Sequence, residues 1–280
     1  MDNLVIWNKT YHVDFERVKK LKESIEKYNK DNISFYISCP KAEKELLFSI
    51  IGKENYTYIA DEDIHPPNPN LTGWMQQTPI KLHAYEQLNC KNVLIMDSDC
   101  YFIKDFYEKD FIAYDDVPYS IIHENKQVQE YNSFLFNKEY KTAEYCKAQM
   151  AYREVFGGKS NRLYDYGPNP HLFSAKVLDH LKENYLEPNG FTFESFYFAM
   201  KQAYPNIHPR ESLTYGEYLL AAKPIDIIPS GPLFKTYHWP EMVDFEEKIG
   251  MFKEESIKHN YLGILYQSKI ATDHPETYVK

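Results

Sequence analysis

The sequence predicts an α/β protein built on a doubly wound, mostly parallel sheet, and two observations carry that expectation. Short, fully apolar runs recur in LVIW, ISFYIS, YTYIA and NVLIM, the pattern of strands covered by helices on both faces. Between them lie stretches whose apolar residues return every three or four positions, as on one face of a helix. Strands and helices that alternate in this way form parallel sheets. At 280 residues, with no internal repeat, low-complexity tract or Gly/Ser linker, the chain suits a single domain spanning 1–280.

The elements follow in order. LVIWN reads as a buried first strand, and Phe15, Val18, Leu21, Ile25 and Tyr28 mark one face of a helix running from Asp14 to Tyr28. ISFYIS is a second strand, KAEKELLFSIIG a helix stopped by Gly52, and YTYIA a third strand. A Pro- and Asn-rich loop, DIHPPNPNLTG, leads to a helix over Trp74 to Leu88 and then to the apolar strand NVLIMD. Helices are expected at Lys141 to Val155, Ala175 to Glu183, Phe193 to Tyr204 and Leu213 to Ala222. IDIIP reads as a late strand, and Phe245 to Lys269 as one more amphipathic helix.

Composition narrows the function. Lys and Arg total 32 against 41 Asp and Glu, a net charge of −9, which disfavours nucleic acid as a partner. Cys39, Cys90, Cys100 and Cys146 stand far apart, with neither a zinc spacing nor the density of a disulfide framework, so reduced thiols and a cytoplasmic location are expected. No run of about 18 apolar residues and no signal-peptide pattern occurs. Peripheral association with the inner membrane face stays open, because a surface assembled only by the fold leaves no mark in the sequence.

In open α/β sheets ligands gather at the carboxyl ends of strands, where NVLIMDSDC places Asp97 and Asp99. Two carboxylates at that point suit a hard divalent cation, Mn2+ or Mg2+, which commonly bridges protein carboxylates to substrate phosphates. A lone D-x-D is usually a solvated turn; behind an apolar strand and three β–α alternations it favours metal. Gln77 and Lys81, four apart, share a helix face. Lys81 then suits a diphosphate and Gln76 or Gln77 a sugar hydroxyl, against the plainer reading of a surface pair. Trp74 suits stacking on a base or sugar, or equally a hydrophobic staple at the helix start.

These motifs, the Asp14-Phe15 helix start, the W-x-x-Q-Q-x-x-x-K run in GWMQQTPIKL, IMDSD, ESLTYGEYL and the aromatic-flanked histidine of TYHWP, together resemble a family of poorly characterised bacterial GT-A-like proteins often found with capsule or lipopolysaccharide genes. The resemblance covers nearly the whole chain. It implies a GT-A-like (Rossmann-like) mixed, mostly parallel sheet flanked by helices, with a nucleotide-sugar-binding half at 1–105 and an acceptor-binding half at 106–280. It also implies a metal-dependent glycosyltransferase, with a UDP-sugar favoured as donor and a saccharide or lipid-linked saccharide as acceptor. The expected donor contacts are Thr10, Trp74, Gln76, Gln77, Lys81, Asp97 and Ser98, and the metal ligands Asp97, Asp99 and a late histidine, His238. Glu211 is the expected catalytic base, with Glu217 behind it as a solvated alternative; a carboxylate opening a helix also has an ordinary electrostatic role. YGPNPHLFS resembles an acceptor-side loop, giving Tyr166, Asn169 and His171 as acceptor contacts, although it reads equally as a Gly/Pro connection.

Two other readings compete. A sugar nucleotidyltransferase would carry a Gly-rich, basic phosphate loop after the first strand, and NKTYHVDF has none. A non-catalytic carbohydrate-binding protein of the same fold would have little reason to keep both D-x-D carboxylates.

Overall fold

The computed structural model describes residues 1–69, 71, 75–123, 142–167, 169–204, 210–238, 240–251 and 253–267. Its central sheet has five strands: β1 (Asp2–Lys9), β2 (Ser34–Cys39), β3 (Thr57–Ala60), β4 (Cys90–Met96) and β8 (His171–Ser174), in the order β3-β2-β1-β4-β8. The first four are parallel, and β8 runs antiparallel to β4, with His171 opposite Ile95. The mixed, mostly parallel sheet expected from the sequence is therefore present, and β8, from the second half of the chain, closes the edge beside the D-x-D strand.

Strand periodicity explains the two cores. Along β1, Leu4 and Ile6 point to one face and Val5 and Trp7 to the other, and all four are buried. The first face packs against α1 (Phe15–Tyr28) and α2 (Lys44–Ile51) through Phe15, Val18, Leu21 and Leu47. On the second face lie α4 (Gln77–Leu88), α6 (Ala175–Leu181), α7 (Phe193–Ala203) and α8 (Glu211–Ala222). A helix so enclosed cannot keep a polar face in water, and α4 buries Thr78 and Lys81 along with Ile80, Leu82 and Leu88.

Smaller elements complete the molecule. After the short helix α3 (Asp61–Ile64), the strands β6 (Ile112–Tyr114), β7 (Val117–Ile121) and β9 (Ile228–Ser230) form one sheet. A second joins β5 (Cys100–Phe102), β10 (Phe234–Tyr237) and β11 (Gly263–Tyr266). Helix α5 covers Thr142–Val155. The expected long C-terminal helix is instead two short ones, α9 (Pro240–Lys248) and α10 (Glu254–Asn260), followed by β11. Gly250, with φ +72°, turns the chain between them, in the left-handed region that glycine adopts without strain. HLFS, expected in a loop, is β8, and the IDIIP strand begins only at Ile228. Cys39, Cys90 and Cys100 are buried free thiols, and no described helix is long and apolar enough to cross a membrane.

Candidate active site

The order β3-β2-β1-β4 reverses direction between β1 and β4, and that switch point is where open α/β sheets bind ligands. Thr10 follows β1, and Asp97, Ser98 and Asp99 follow β4. The Ser98 hydroxyl donates to Thr10 Oγ1 at 2.9 Å, stitching the two strand ends together. Both residues are buried, so they position the D-x-D turn.

Asp97 and Asp99 are half-buried and close enough for each charge to bear on the other. Burial, reinforced by the Asp97 charge and by Asp14, pushes the Asp99 carboxyl well above the ordinary carboxylate range, against the opposing pull of Arg17. Asp99 Oδ1 is enclosed and has no hydrogen-bond partner among the described residues. A buried carboxylate oxygen in that condition, beside a second carboxylate, fits a divalent cation, which would remove the repulsion and fill the empty acceptor. Asp14 and Arg17 form an ion pair of 2.5 Å in the first turn after β1 and belong to the same charged cluster.

Lys81 is the centre of the site. Its ammonium donates to Asp97 Oδ1 at 2.9 Å and to Glu211 Oε1 at 3.0 Å, with only 5% of the side chain exposed. Burial works to lower its pKa, but the charges of Asp97 and Glu211 outweigh it and the net shift is upward. Glu211 opens α8 and also accepts from Thr78 Oγ1 at 3.3 Å. Burial would raise the Glu211 carboxyl, yet Lys81, then His171, bring it down to about 2. Glu211 is thus held as an anion, and a carboxylate of that acidity is a poor proton acceptor near neutral pH.

The acceptor-side residues divide. Asn169 Oδ1 accepts from the Asp97 backbone N–H at 2.7 Å, so it fixes the turn, while its Nδ2 is enclosed without a partner among the described residues. The Nε2 atom of His171 lies 4.0 Å from Glu211 Oε1, and its Nδ1 is likewise enclosed and unpartnered. Burial and Lys81 hold the imidazole below its usual pKa, despite Glu211, Asp97 and Asp165 acting in the other direction. Tyr166 corrects the expectation. It is buried, its hydroxyl donates to Glu217 Oε1, and its ring packs on Gly216, where an added Cβ would come within 2.2 Å of Tyr166 Cδ1. It is a core residue, as is Glu217, which accepts from Arg153 Nε at 2.9 Å and Nη2 at 2.7 Å and is 2% exposed. Glu217 is therefore neither solvated nor placed to act as a base.

The third metal ligand expected from the sequence is His238. His238 follows β10 and reaches the same end of the molecule, since the Tyr266 N–H donates to Asp99 O and Gln267 N–H to Tyr237 O. Its imidazole bonds Gln267 and responds to Asp165 and Arg210. Among the described residues no three His, Cys, Asp or Glu side chains converge as a metal cage. Gln76 is committed to the loop before α4, donating to Asn68 O and Leu71 O and accepting from the Asn68 N–H. Trp74 lies outside the described residues.

A cavity of about 500 Å³ lies past the ends of β1, β2 and β3, lined by Lys9 and Tyr11 on either side of Thr10, by Asp61 and His65 beyond β3, and by Gln77 and Ile80 of α4. The size suits a nucleotide-scale ligand. Lys9 and Asp61 form a buried ion pair of 3.1 Å on its wall, and Lys9 also donates to Thr10 O. Lys9 and Asp61 were not singled out from the sequence, and Asp14 only as a helix start. Asp61, at least, carries a signal like that of the D-x-D pair, a carboxylate directly after a strand.

The fold is thus a mixed α/β sheet flanked by helices, with a carboxylate pair at its switch point and a cavity past the ends of β1, β2 and β3. The chain belongs to the family of unknown function DUF6492, matched over residues 3–257. Comparison with curated proteins returns no match. Among solved structures, the galactosyltransferase LgtC in complex with donor and acceptor sugar analogues is similar at 12% identity and a TM-score of 0.43, covering 100% of this chain and 94% of that one. Mouse xyloside xylosyltransferase 1 in its apo form is similar at 7% identity and a TM-score of 0.47, covering 95% of this chain and 98% of that one.

Proposed function

We propose that the protein is a glycosyltransferase that moves a sugar from a nucleotide-sugar donor, a UDP-sugar first among the candidates, to a saccharide or lipid-linked saccharide acceptor, in assembly of a bacterial surface polysaccharide. The observation that carries this reading is the Asp97 and Asp99 pair after β4 at the β1/β4 switch point, together with a cavity of about 500 Å³ past the ends of β1, β2 and β3. The cavity offers a nucleoside a slot. Tyr11, Pro67 and Ile80 supply apolar walls for a base, and Asp61 and Gln77 supply polar contacts. The resemblance of the D-x-D strand and the helix before it to capsule- and lipopolysaccharide-associated proteins supports the choice of acceptor.

Asp97 and Asp99 would hold Mn2+ or Mg2+, whose charge supplies neutralisation of the leaving diphosphate. Lys81 bridges Asp97 and Glu211 and offsets one of their two negative charges. Asn169 locks the D-x-D turn through the Asp97 N–H. Incubation with UDP-, GDP- and CMP-sugars in MnCl2 tests the reading. Release of nucleotide from at least one donor, enhanced by a saccharide acceptor, is expected; no release from any donor, together with no binding, contradicts it.

A further inference from the structure

We propose that Arg17 binds the diphosphate of the donor, the part that helical spacing alone gives to Lys81. The inference deepens the glycosyl-transfer reading above and rests on it. Lys9, Arg17 and Lys81 each pair with a carboxylate that lies past the end of a strand of the central sheet: Asp61 after β3, Asp14 after β1 and Asp97 after β4. Two of these cations are committed within the protein. Lys81 bridges Asp97 and Glu211 at 2.9 and 3.0 Å with 5% of its side chain exposed. Lys9 bridges Asp61 and the Thr10 carbonyl at 3.1 and 3.0 Å with 7% exposed. An ammonium so enclosed has little to offer a ligand. Arg17 meets Asp14 Oδ1 through Nη1 at 2.5 Å and is the most open of the three, with 17% of its side chain exposed. A guanidinium carries its N–H donors in a planar fork, more than a single carboxylate oxygen engages, and that fork matches a phosphate bidentately.

The way α1 lies along β5 brings this guanidinium to the D-x-D turn. The Phe102 N–H donates to Ser24 Oγ at 3.0 Å, and one turn earlier on α1 the Lys20 ammonium sits 3.8 Å from the centre of the Tyr101 ring. A helix advances about 1.5 Å per residue and a strand about 3.3 Å, so a helical turn spans between one and two strand residues. As α1 steps back from Ser24 to Lys20, β5 steps back from Phe102 to Tyr101. Arg17, nearly a turn earlier again, therefore falls level with the residues just before Tyr101, where Asp99 stands. The charges agree with that register: burial and Asp97 raise the Asp99 carboxyl, and Arg17 opposes them.

Arg17 also occupies the first turn of α1, the end of a helix that favours anions over cations. Asp14 offsets that mismatch here, and a bound phosphate does so with more charge. The divalent ion that Asp97 and Asp99 fit and the Arg17 guanidinium then offer the diphosphate two neighbouring positive charges. Thr10 and Ser98, bonded to each other at 2.9 Å, hold the strand ends on which this arrangement depends.

Calorimetric titration of the full chain tests the assignment, with MnCl2 alone and with UDP, GDP and dTDP in MnCl2, on wild type, Arg17→Gln and Arg17→Lys. Loss of the charged contact should weaken whichever nucleotide the wild type binds by roughly 10–100-fold in Arg17→Gln. Arg17→Lys keeps the charge and the Asp14 pair without the fork, so its affinity should fall between the two while its Tm stays that of the wild type. Mn2+ alone should bind Arg17→Gln as tightly as wild type or more tightly, because a positive charge beside the ion is gone. A merely structural role for Arg17 would instead weaken Mn2+ and nucleotide together. Nucleotide affinity of Arg17→Gln within threefold of the wild type, or a loss matched by Mn2+, overturns the proposal and leaves an ordinary helix-start ion pair. Should Arg17→Gln fail to fold, Arg17→Lys decides alone, and wild-type nucleotide affinity in it overturns the proposal. A wild-type protein that binds none of the three nucleotides overturns instead the glycosyl-transfer reading on which the proposal stands.

Discussion

Replacing Glu217 by Gln should destabilise the protein strongly without touching its chemistry. Glu217 is 2% exposed and receives three donated bonds, from Arg153 Nε at 2.9 Å, Arg153 Nη2 at 2.7 Å and Tyr166 Oη at 2.5 Å. Gln neutralises the anion and turns an NH2 group toward a guanidinium or hydroxyl donor. The Arg153 charge then stays buried with no anion to pair it, keeping the carbonyls of Ser160 and Arg162 at 2.7 and 2.5 Å as hydrogen-bond partners. Removing one member of a buried ion pair typically costs about 3–5 kcal/mol. The retained Gln oxygen and those two carbonyls argue for the lower end, about 3 kcal/mol. For a chain of this size that lowers Tm by roughly 5 °C. Calorimetry of wild type, Glu217→Gln, and the double variant Arg153→Met with Glu217→Leu measures it, and the double variant should recover much of the loss because no unpaired charge remains. A Tm for Glu217→Gln within 2 °C of the wild type refutes the reasoning.

Two further outcomes follow from the same geometry. Gly216→Ala adds a methyl that would stand 2.2 Å from Tyr166 Cδ1. The clash with a ring anchored at its hydroxyl should outweigh the gain of about 1 kcal/mol in helix propensity and lower stability by about 1–3 kcal/mol in urea unfolding; an unchanged or higher midpoint would show that the ring yields. The Glu211 carboxyl is depressed in the folded state from 4.5 to about 2. A depressed acid stabilises the fold above its unfolded pKa and loses that contribution as pH falls through the folded value. In metal-free buffer the stability gap between wild type and Glu211→Gln, about 3 kcal/mol at 1.36 kcal/mol per pKa unit, should therefore be full above pH ~5 and close between about 4.5 and 2. A gap that does not change over that window contradicts the Lys81–Glu211 pairing.

The sheet was legible because buried parallel strands read as unbroken apolar runs, and β1 to β4 each do so. The carboxylates of NVLIMDSD were legible for the same reason, since a strand end in such a sheet is a ligand position. The Lys81–Glu211 contact was not, because it joins residues 130 apart and depends on α4 being enclosed by α7 and α8. Local spacing placed Lys81 on a helix face without revealing that the face is buried. For Glu217 the sequence showed a helical carboxylate and hid its partner Arg153, 64 residues away. The strand HLFS was masked by the Pro-rich YGPNP before it. The apolar residues of YLGILY, β11 in the structure, fell into the apparent helical spacing of the C-terminal segment, whose break at Gly250 decides the outcome.

The central claim, a metal-dependent nucleotide site at Asp97 and Asp99, is tested most directly by the thermal stability of wild type and Asp99→Asn with UDP, with and without MnCl2. UDP at about 100-fold its Kd stabilises a native protein by about 2.7 kcal/mol, which here corresponds to a rise in Tm of roughly 5 °C. The wild type should show that rise only when Mn2+ is present, and Asp99→Asn should remain folded and show little or none. An Asp99→Asn protein that responds to UDP and Mn2+ as the wild type does would contradict the account.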